Sequence, residues 1–598
     1  MSSPDRDAGS TGMSAAGGDG ARALWLTLAL ILAARAAFTF LSGTWGWSLA
    51  AQRDLAPIWS WPLWLLGALP LLPPVARALA APAARLGDAA TRSPAAAFVA
   101  PALAAAILVL VFPDRVRFVG DALLRQRTLE VQGLIPAAWY PQALPLDLAL
   151  HHRLASAMIH ALGVSAALPG RLIGACDAGL LALCAVAFAR VLELRGAAAL
   201  ACGAIVFWGG ALTLFTGYNK AFAEMAVLTA ACGVHALRAA RTGRGLARLG
   251  LTLAVALLFH RSALALLPVA IVAWMQVARG DPAGARAKPA ALARAALAPV
   301  VVLAFMLPRI VRIVTHIDPM HFAPQALRGG SFLARELGGA RPADLVNLLI
   351  FLVPLAPLVP ALAWPAAHHV RRRDAVVLLS LALPFLLVMP WIHPGQGLFR
   401  DWDDFAATGV ALALVAAWLA GETLRASPRA AALAPALVLA CAMPTVQWLA
   451  HHGDLARGLE RVRRFVTEPP RRIAFERAVT WQFIGQSEAD RRRFVPSADA
   501  YAQAAELLPS PNVTRQWGVA ELRAGRYARA RRVYEGIVAR DSTDAFGWTG
   551  LALAARRLED DAGAQDAIEH AVRLDPDGRA LRAMLQVLAV SDSGATSR

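Results

Sequence analysis

The chain has 598 residues, of which 57% are hydrophobic and only 17% are charged. Soluble domains are usually about a quarter charged, so this composition indicates that the chain is mainly a membrane protein. The formal net charge of +18 does not indicate nucleic-acid binding, because many arginines lie in short connections where basic residues orient membrane helices. We therefore expect no nucleic-acid partner. The five cysteines all fall inside apolar runs and are interpreted as small core residues.

Residues 1–20 are rich in Gly and Ser and are predicted to be disordered. Residues 21–450 form long apolar runs, and the first of these lacks a small-residue cleavage site, which favours a retained helix. A membrane span needs about 20 apolar residues, which predicts about 13 transmembrane helices. They lie near 22–42, 57–80, 96–113, 171–191, 196–217, 219–239, 246–259, 262–278, 291–313, 343–364, 375–392, 405–421 and 430–449. The two short runs that meet at His260-Arg261 are consistent with half-length helices.

The basic connections predict which side of the membrane each loop occupies. With a cytoplasmic N-terminus, all of them fall inside, as the positive-inside rule requires. They contain Arg85, Arg92, Arg190, Arg195, Arg238, Arg241, Arg244, Arg248, Arg279, Arg286, Lys288, Arg294, Arg371, Arg372, Arg373, Arg425 and Arg429. The chain is thus predicted to be a multi-pass protein of the inner (plasma) membrane. Its chemistry is expected on the periplasmic or exterior face, in the connections 114–170, 217–221, 260–261, 314–342 and 393–404.

The longest exterior connection brings acidic and basic residues out of the membrane together. It begins with Asp114, Arg117, Asp121 and Arg125 and continues through an amphipathic stretch at 146–162 suited to the membrane interface. A carboxylate beside arginines suits a reaction in which a base takes a proton while cations hold an anionic leaving group. An ordinary solvated loop with surface ion pairs is the alternative.

A second polar stretch, "GLFRDWDDFA", lies between two apolar runs. It can bring a cation, carboxylates and an aromatic face to one point at the outer membrane surface, through Arg400, Asp401, Trp402 and Asp403. Aromatic rings of this kind stack on sugars, and Trp also favours the membrane interface. The alternative is that Trp402 is only an interface residue and that Arg400 pairs with Asp403 or Asp404.

Four pieces, in the order "FVGDALL", "YPQALPLD", "FTGY" and "GLFRDWDDFA", resemble bacterial GT-C-type membrane glycosyltransferases. These are relatives of the aminoarabinose and protein O-mannosyl transferases, and the resemblance covers roughly residues 20–450. It implies an all-α polytopic helix bundle whose donor is a polyprenyl-phosphate-linked sugar. In such enzymes a carboxylate of the first large exterior loop is the catalytic base, and basic residues near the outer leaflet hold the phosphate.

Carried over to this chain, the resemblance implies that Asp121 is the base, with Asp114 as a competitor. Arg400, with Arg261 or Lys220, would bind phosphate, and Asp401 and Asp403 would bond sugar hydroxyls or hold those cations in place. The whole substrate-binding set is Arg117, Arg125, Tyr218, Lys220, His260, Arg261, Arg400, Asp401, Trp402 and Asp403.

The chain departs from this family at two points. Related sequences often read Gly-Tyr-x-Glu where Lys220 stands, so an expected acid is a cation, and Glu224 is a candidate substitute. The loop carboxylate also follows the third predicted span instead of the first. His316, Asp318, His321 and His393 have no compact metal-ligand spacing, so no metal ligand is assigned, although some GT-C enzymes use a divalent cation.

The remainder of the chain looks soluble. Residues 451–477 are predicted to be a linker, 478–590 a tetratricopeptide repeat domain, and 591–598 a disordered tail. Ala530 and Ala564 show the period of about 34 residues that is typical of this repeat. With an odd number of spans the repeats lie outside, where they would bind an acceptor or a partner protein.

The sequence therefore predicts a membrane glycosyltransferase that moves a sugar to a glycan, lipid or protein acceptor on the exterior face. One alternative is an O-antigen polymerase or ligase, which would depend on exterior Arg and His more than on a carboxylate. The other is a non-enzymatic transporter or envelope assembly scaffold that uses the repeats for docking. The variant Asp121→Asn separates the first two, because only the transferase would lose nearly all of its activity.

Overall fold

The structure is a computed structural model that describes residues 8–92, 96–129, 135–280, 289–322, 331, 338–367 and 370–589. Within these residues the chain is all-helical and contains no strand. It divides into two compact units, one ending at Gly458 and the other beginning at Leu459. The first unit contains the long apolar helices, and the second contains a series of shorter helices.

The first unit is built from helices of very different lengths, separated by short 3-10 turns. Its α-helices are Ala8–Phe40, Ala51–Asp54, Trp61–Ala68, Pro73–Arg92, Ala96–Val111, Ala122–Thr128, Pro136–Trp139, Pro145–Leu148, Ala155–Leu162, Leu168–Val191, Gly196–Phe207, Phe222–Thr242, Leu246–Phe259, Leu267–Ala278, Pro289–His316, Pro319–Phe322, Arg341–Leu352, Leu358–Ala366, Arg372–Val388, Ala406–Ala426, Pro428–Ala431 and Ala434–Gly453.

Among the described residues, eight helices are long and apolar enough to cross a membrane, or up to ten if each of two bent pairs is one span. Several long apolar helices of this kind are compatible with a membrane helix bundle. The span predicted at 57–80 differs most from the structure. The structure has two helical segments there, Pro57–Leu71 and Pro73–Arg92, with a bend of 90° between them. Prolines at this break remove backbone donors and interrupt the helix.

Two further predicted spans are interrupted. The run at 196–217 bends by 60° between Gly196–Phe207 and Gly210–Thr216. A β-carbon on Gly209 would collide with the carbonyl oxygen of Leu352, so this bend needs a residue without a side chain. The run at 343–364 separates into Arg341–Leu352 and Leu358–Ala366.

The N-terminal segment is more ordered than its composition suggests. Residues 8–20, whose composition predicts disorder, continue the first helix, which begins at Ala8. Extending an existing helix adds one hydrogen bond for each residue fixed, so the apolar part of the helix can propagate into this weaker sequence. Residues 1–7 of the predicted disordered segment and all of 591–598 lie outside the described residues.

The predicted linker at 451–477 also contains a helix, Leu455–Thr467, and the two units divide within that helix. Leu459, Val462 and Val466 are buried along it. Their spacing of three and four residues is that of one helical face, which explains why this segment forms a helix.

Several contacts join connections that the sequence predicts to be cytoplasmic from their basic residues. Arg241 Nε donates to Asp374 Oδ1 at 3.0 Å, and the backbone N–H of Gly196 donates to Asp88 Oδ1 at 2.9 Å. Arg425 donates to the carbonyl of Leu192 at 3.1 Å. These connections are far apart in sequence, and their contacts bring them together in the structure.

The second unit is a regular series of helices. They are Ala474–Asp490, Phe494–Leu507, Pro511–Arg523, Tyr527–Arg540, Ala545–Arg557, Asp561–Leu574 and Arg579–Ala589. Alternate helices begin at 511, 545 and 579, which are steps of 34 residues. Each of the first five helices packs on the next in the chain, and the last helix, Arg579–Ala589, packs on Ala545–Arg557. This is a repeating helix-pair architecture with the predicted period.

Small residues allow the helices of this unit to approach closely. A β-carbon on Gly518 would lie 2.6 Å from the ring of Tyr534, and one on Gly485 would lie 2.9 Å from the ring of Tyr501. Both contacts join residues 16 apart in adjacent helices, so they are the same contact in successive repeats. The aromatic ring thus fills the space that the glycine leaves open.

We expect Gly518→Ala to destabilise the second unit by about 1–3 kcal/mol, because a methyl group there must displace the rigid ring of Tyr534. Gly536→Ala is the matched control, since a β-carbon there would meet nothing within 4 Å and alanine stabilises a helix interior by about 0.5–1 kcal/mol. Hydrogen exchange of residues 511–540 in the full chain measures both effects. Equal protection in the two variants would contradict this packing.

Candidate active site

The five connections predicted to be exterior meet in the first unit. Each is joined to another by a direct contact, and together these contacts link all five into one cluster. The pairs are Gly120 with Arg400, Asp121 with Lys220, Arg261 with Asp318, and His321 with His393. These five connections are therefore brought together in the structure, although they are spread along the chain between residues 114 and 404.

Gly120 fixes the position of the first connection. Its φ is +52°, a left-handed conformation that favours glycine, and its N–H donates to the carbonyl of Arg400 at 3.1 Å. A β-carbon at this position would lie 2.8 Å from Asp403 Oδ2. The Gly-Asp pair therefore lets the chain pass directly over Asp403 and places Asp121 beside it.

Lys220 lies at the centre of the cluster. Its Nζ is 3.1 Å from Asp121 Oδ1 and 3.7 Å from Asp403 Oδ2. The hydroxyl of Tyr218 donates to the same oxygen of Asp403. Asp403 is fully buried, whereas the side chains of Lys220 and Asp121 are 18% and 21% exposed. One ammonium group thus connects an inner carboxylate with an accessible one.

The charges in this cluster stabilise one another. Burial raises the pKa of Asp121, but the positive charges of Lys220 and Arg125 outweigh it and hold the pKa at about 2. Burial lowers the pKa of Lys220, and the carboxylates of Asp121 and Asp403 outweigh that effect and raise it above its usual value. Asp121 is therefore ionised at neutral pH and forms an ion pair with Lys220.

Arg125 supports Asp121 from behind. Its guanidinium donates to both oxygens of Asp147, at 3.0 and 3.2 Å, and its Nε lies 3.6 Å from Asp121 Oδ2. The ring of Tyr140 lies 4.7 Å below it. Breaking a buried pair of this kind costs about 3–5 kcal/mol. Arg125, predicted to bind substrate, is thus committed to Asp147 and positions the Asp121 loop.

A second buried network adjoins this pair. His151 contacts Asn219 Oδ1 through Nδ1 and Glu224 Oε2 through Nε2, both at 3.0 Å. Glu224, the candidate substitute for the acid expected at Lys220, therefore faces His151. Asp403 is the carboxylate that reaches Lys220 from a distant part of the chain.

Asp114, the competing base, has a role in its own loop. Its Oδ1 accepts hydrogen bonds from the backbone N–H groups of Val116 and Arg117, both at 2.9 Å. Arg117 has a φ of +51°, so this carboxylate stabilises a tight turn. Asp121 lies in the charged cluster, whereas the carboxylate of Asp114 is occupied by the backbone of its own turn.

Arg400 braces the Asp121 loop. Its Nε donates to the carbonyl of Phe118 at 3.1 Å and its Nη2 to that of Gly120 at 3.4 Å, and the guanidinium lies 5.2 Å from the ring of Phe118. The sequence predicts that Arg400 binds phosphate or pairs with Asp403 or Asp404. These contacts with backbone carbonyls are an additional role that the sequence does not indicate.

Its neighbours in the sequence are also turned inward. Asp401 Oδ2 accepts the backbone N–H of Gln396 at 2.6 Å, which stabilises the turn before the next helix. Trp402 is only 3% exposed and packs edge-on against Phe351 at 4.7 Å. Its ring therefore lies in the helix packing and does not form the predicted sugar-stacking surface.

Arg261 and His260 form the other side of the cluster. Arg261 donates to both oxygens of Asp318, at 2.7 and 2.6 Å, and to His260 Nε2 at 2.9 Å. Burial, with the charges of Arg261 and Lys220, lowers the pKa of His260 well below its usual value. His260 is therefore neutral and can accept this hydrogen bond.

Sequence reasoning missed Asp147 and Asn219, which position Arg125 and His151. Asp147 belongs to the quoted "YPQALPLD" piece, so its position in the motif was the available signal. Asp318 was considered only as a metal ligand, and its partner is Arg261. Among the described residues, no group of three or more His, Cys, Asp or Glu side chains could hold a metal ion.

The chain matches none of the known protein families with which it was compared, and no curated protein matches it either. The geometry of the charged cluster is therefore the basis for assigning a function.

We expect Gly120→Ala to be more destabilising than Gly163→Ala. Both glycines have a positive φ, +52° and +63°, so both variants strain the backbone. Nothing lies within 4 Å of a β-carbon at Gly163, whereas one at Gly120 meets the carboxylate of Asp403. The contact should cost about 1–3 kcal/mol beyond the shared strain, as measured by thermal unfolding in detergent. Equal shifts in Tm would contradict the close approach of these two connections.

Proposed function

We propose that the chain is an inner-membrane glycosyltransferase that moves a sugar from a polyprenyl-phosphate donor to an acceptor hydroxyl at the exterior face. The observation that carries the proposal is the ion pair between Asp121 and Lys220, held over the buried Asp403. Sugar transfer with an anionic leaving group requires a base that takes the acceptor proton and a cation that stabilises the leaving group, both at the same point.

In the proposed reaction, the carboxylate of Asp121 takes the proton of the acceptor hydroxyl. The acceptor oxygen then forms a bond to the anomeric carbon as the bond from that carbon to the phosphate oxygen breaks. Polyprenyl phosphate leaves with the electron pair, and the anomeric configuration is inverted. Lys220 stabilises the charge of the leaving phosphate, and Asp403 and Tyr218 hold Lys220 in position.

The contacts of the last apolar helix support an exterior location for the repeats. The helix Ala434–Gly453 ends beside the Asp121 loop, where the carbonyl of His452 accepts the N–H of Arg115 at 2.9 Å. The chain therefore leaves the first unit at the end that bears the charged cluster. We propose that the helix pairs that follow are tetratricopeptide repeats in the periplasmic or exterior compartment, where they bind the acceptor or a partner protein.

An O-antigen polymerase or ligase is the competing enzyme class, and the neighbouring His260 and Arg261 favour it. However, Arg261 already forms two hydrogen bonds with Asp318, and Arg125 forms two with Asp147. Asp121 is a partly exposed carboxylate of the cluster, with a side chain that is 21% exposed, and this favours the transferase. A transporter is less favoured, because transporters usually bind their substrates near the membrane midplane, whereas this charged cluster lies at one end of the bundle.

We expect Asp121→Asn to reduce sugar transfer by about 100- to 10,000-fold, because the amide cannot accept the proton of the acceptor. Asp114→Asn is the matched control: an amide oxygen can still accept the N–H groups of Val116 and Arg117, so transfer should remain within a few fold. The assay follows a radiolabelled sugar from polyprenyl phosphate in membranes that contain the full chain.

Two results of that assay would contradict the proposal. Transfer by Asp121→Asn at nearly the level of the unmodified chain would remove the assigned base. Loss of transfer in Asp114→Asn, with Asp121→Asn active, would move the role to the other carboxylate.

A further inference from the structure

The ammonium group of Lys220 is shared between two carboxylates that differ in accessibility. Asp403 is fully buried, and its Oδ2 also receives the hydroxyl of Tyr218. Its Oδ1 is buried and has no hydrogen-bond partner among the described residues. The side chain of Asp121 is 21% exposed, and its Oδ1, which is itself buried, is 3.1 Å from Lys220 Nζ. Lys220 is thus anchored at the rear and exposed in front, where an anion could replace Asp121 as its partner.

The same ion pair limits Asp121 as a base. Burial raises its pKa, but Lys220 and Arg125 hold the value at about 2. A carboxylate with so low a pKa accepts protons poorly at neutral pH, and general-base catalysis improves as the pKa approaches the working pH. The reaction therefore needs a change that weakens the pairing of Asp121 when substrate is present.

Lys220 is the cation that can make this change. Its four-carbon side chain is flexible, and its three donors can rotate. Arg125 cannot do the same, because two hydrogen bonds, at 3.0 and 3.2 Å, fix its guanidinium on Asp147. Lys220, whose side chain is 18% exposed, is therefore the cation of this pair that can turn from Asp121 towards a phosphate.

We propose that Lys220 is a switch between Asp121 and the donor phosphate: binding of the phosphate draws the ammonium away from Asp121 and releases the base. This inference rests on the proposed function, because it takes the donor to be a lipid-linked phosphate. The base is then weak in the free enzyme and becomes competent only when the leaving group is in place.

The switch implies a reciprocal coupling that can be measured without catalysis. If Asp121 and phosphate compete for Lys220, removing the charge of Asp121 must strengthen phosphate binding through Lys220. The probe is undecaprenyl phosphate, titrated into the purified full chain in nanodiscs. Four proteins form a double-mutant cycle: the unmodified chain, Asp121→Asn, Lys220→Met and the double variant.

We expect Asp121→Asn to lower the Kd for undecaprenyl phosphate by about 10-fold and Lys220→Met to raise it by about 10-fold. In the Lys220→Met background, Asp121→Asn should change the Kd by less than about 3-fold, because the shared cation is absent. This comparison also corrects for the general effect of removing a negative charge near phosphate.

An equal effect of Asp121→Asn in both backgrounds would overturn the switch, since Lys220 would then not be shared. Unchanged or weaker binding by Asp121→Asn alone would overturn it as well, and this result decides the question even if Lys220→Met fails to fold. Absence of binding by all four proteins would instead overturn the assigned donor, and with it the proposed function. The two failures are therefore distinguishable.

Discussion

The charged cluster depends on one interaction, the contact of the Lys220 ammonium with carboxylates from two different connections. Asp121 follows the helix Ala96–Val111, whereas Asp403 precedes the helix Ala406–Ala426. An ammonium between them offsets the repulsion of two negative charges in a place that is largely shielded from water. Without a cation at this point, the two carboxylates could not both remain ionised so close together.

The surrounding residues hold the backbone in the geometry that this contact needs. Gly120 allows the Asp121 loop to pass over Asp403, and Arg400 donates to the carbonyls of Phe118 and Gly120 in that loop. Arg125 and Asp147 fix the middle of the following helix, Ala122–Thr128. Buried charges are costly unless they are paired. A network of this size is therefore unusual in a helix bundle that has no functional site.

Much of this arrangement could be predicted from the sequence. The apolar runs indicated the long helices, and the basic connections between them divided the chain into two sets of loops. The contacts of Gly120 with Arg400 and of Gly196 with Asp88 join loops within the two sets. The sequence also predicts the repeat period of the second unit, because glycine and aromatic residues recur at fixed steps along the chain and form equivalent contacts in the structure.

The sequence could not predict the partners of individual charges. Hydropathy predicts that Arg125 lies in a connection between apolar helices, but only the packing shows that Asp147 forms an ion pair with it. Tryptophan is a residue type typical of the membrane interface, but Trp402 is buried against Phe351 from a helix that is distant in sequence. The sequence predicts a continuous helix at 196–217, whereas the structure bends it by 60° near Gly209. At this point the carbonyl oxygen of Leu352 leaves no room for a β-carbon. These errors share one cause: pairwise tertiary contacts are not encoded in local composition.

Cysteine labelling from one side of the membrane tests the central claim, that the charged cluster and the repeats lie in one aqueous compartment. Single cysteines are introduced by Arg153→Cys, Arg244→Cys and Arg556→Cys, all at exposed positions, in a chain whose own cysteines are replaced. An impermeant maleimide added to spheroplasts should label positions 153 and 556, and position 244 only after lysis. Labelling of 153 and 244 together in intact spheroplasts, or of 556 only after lysis, would contradict the account.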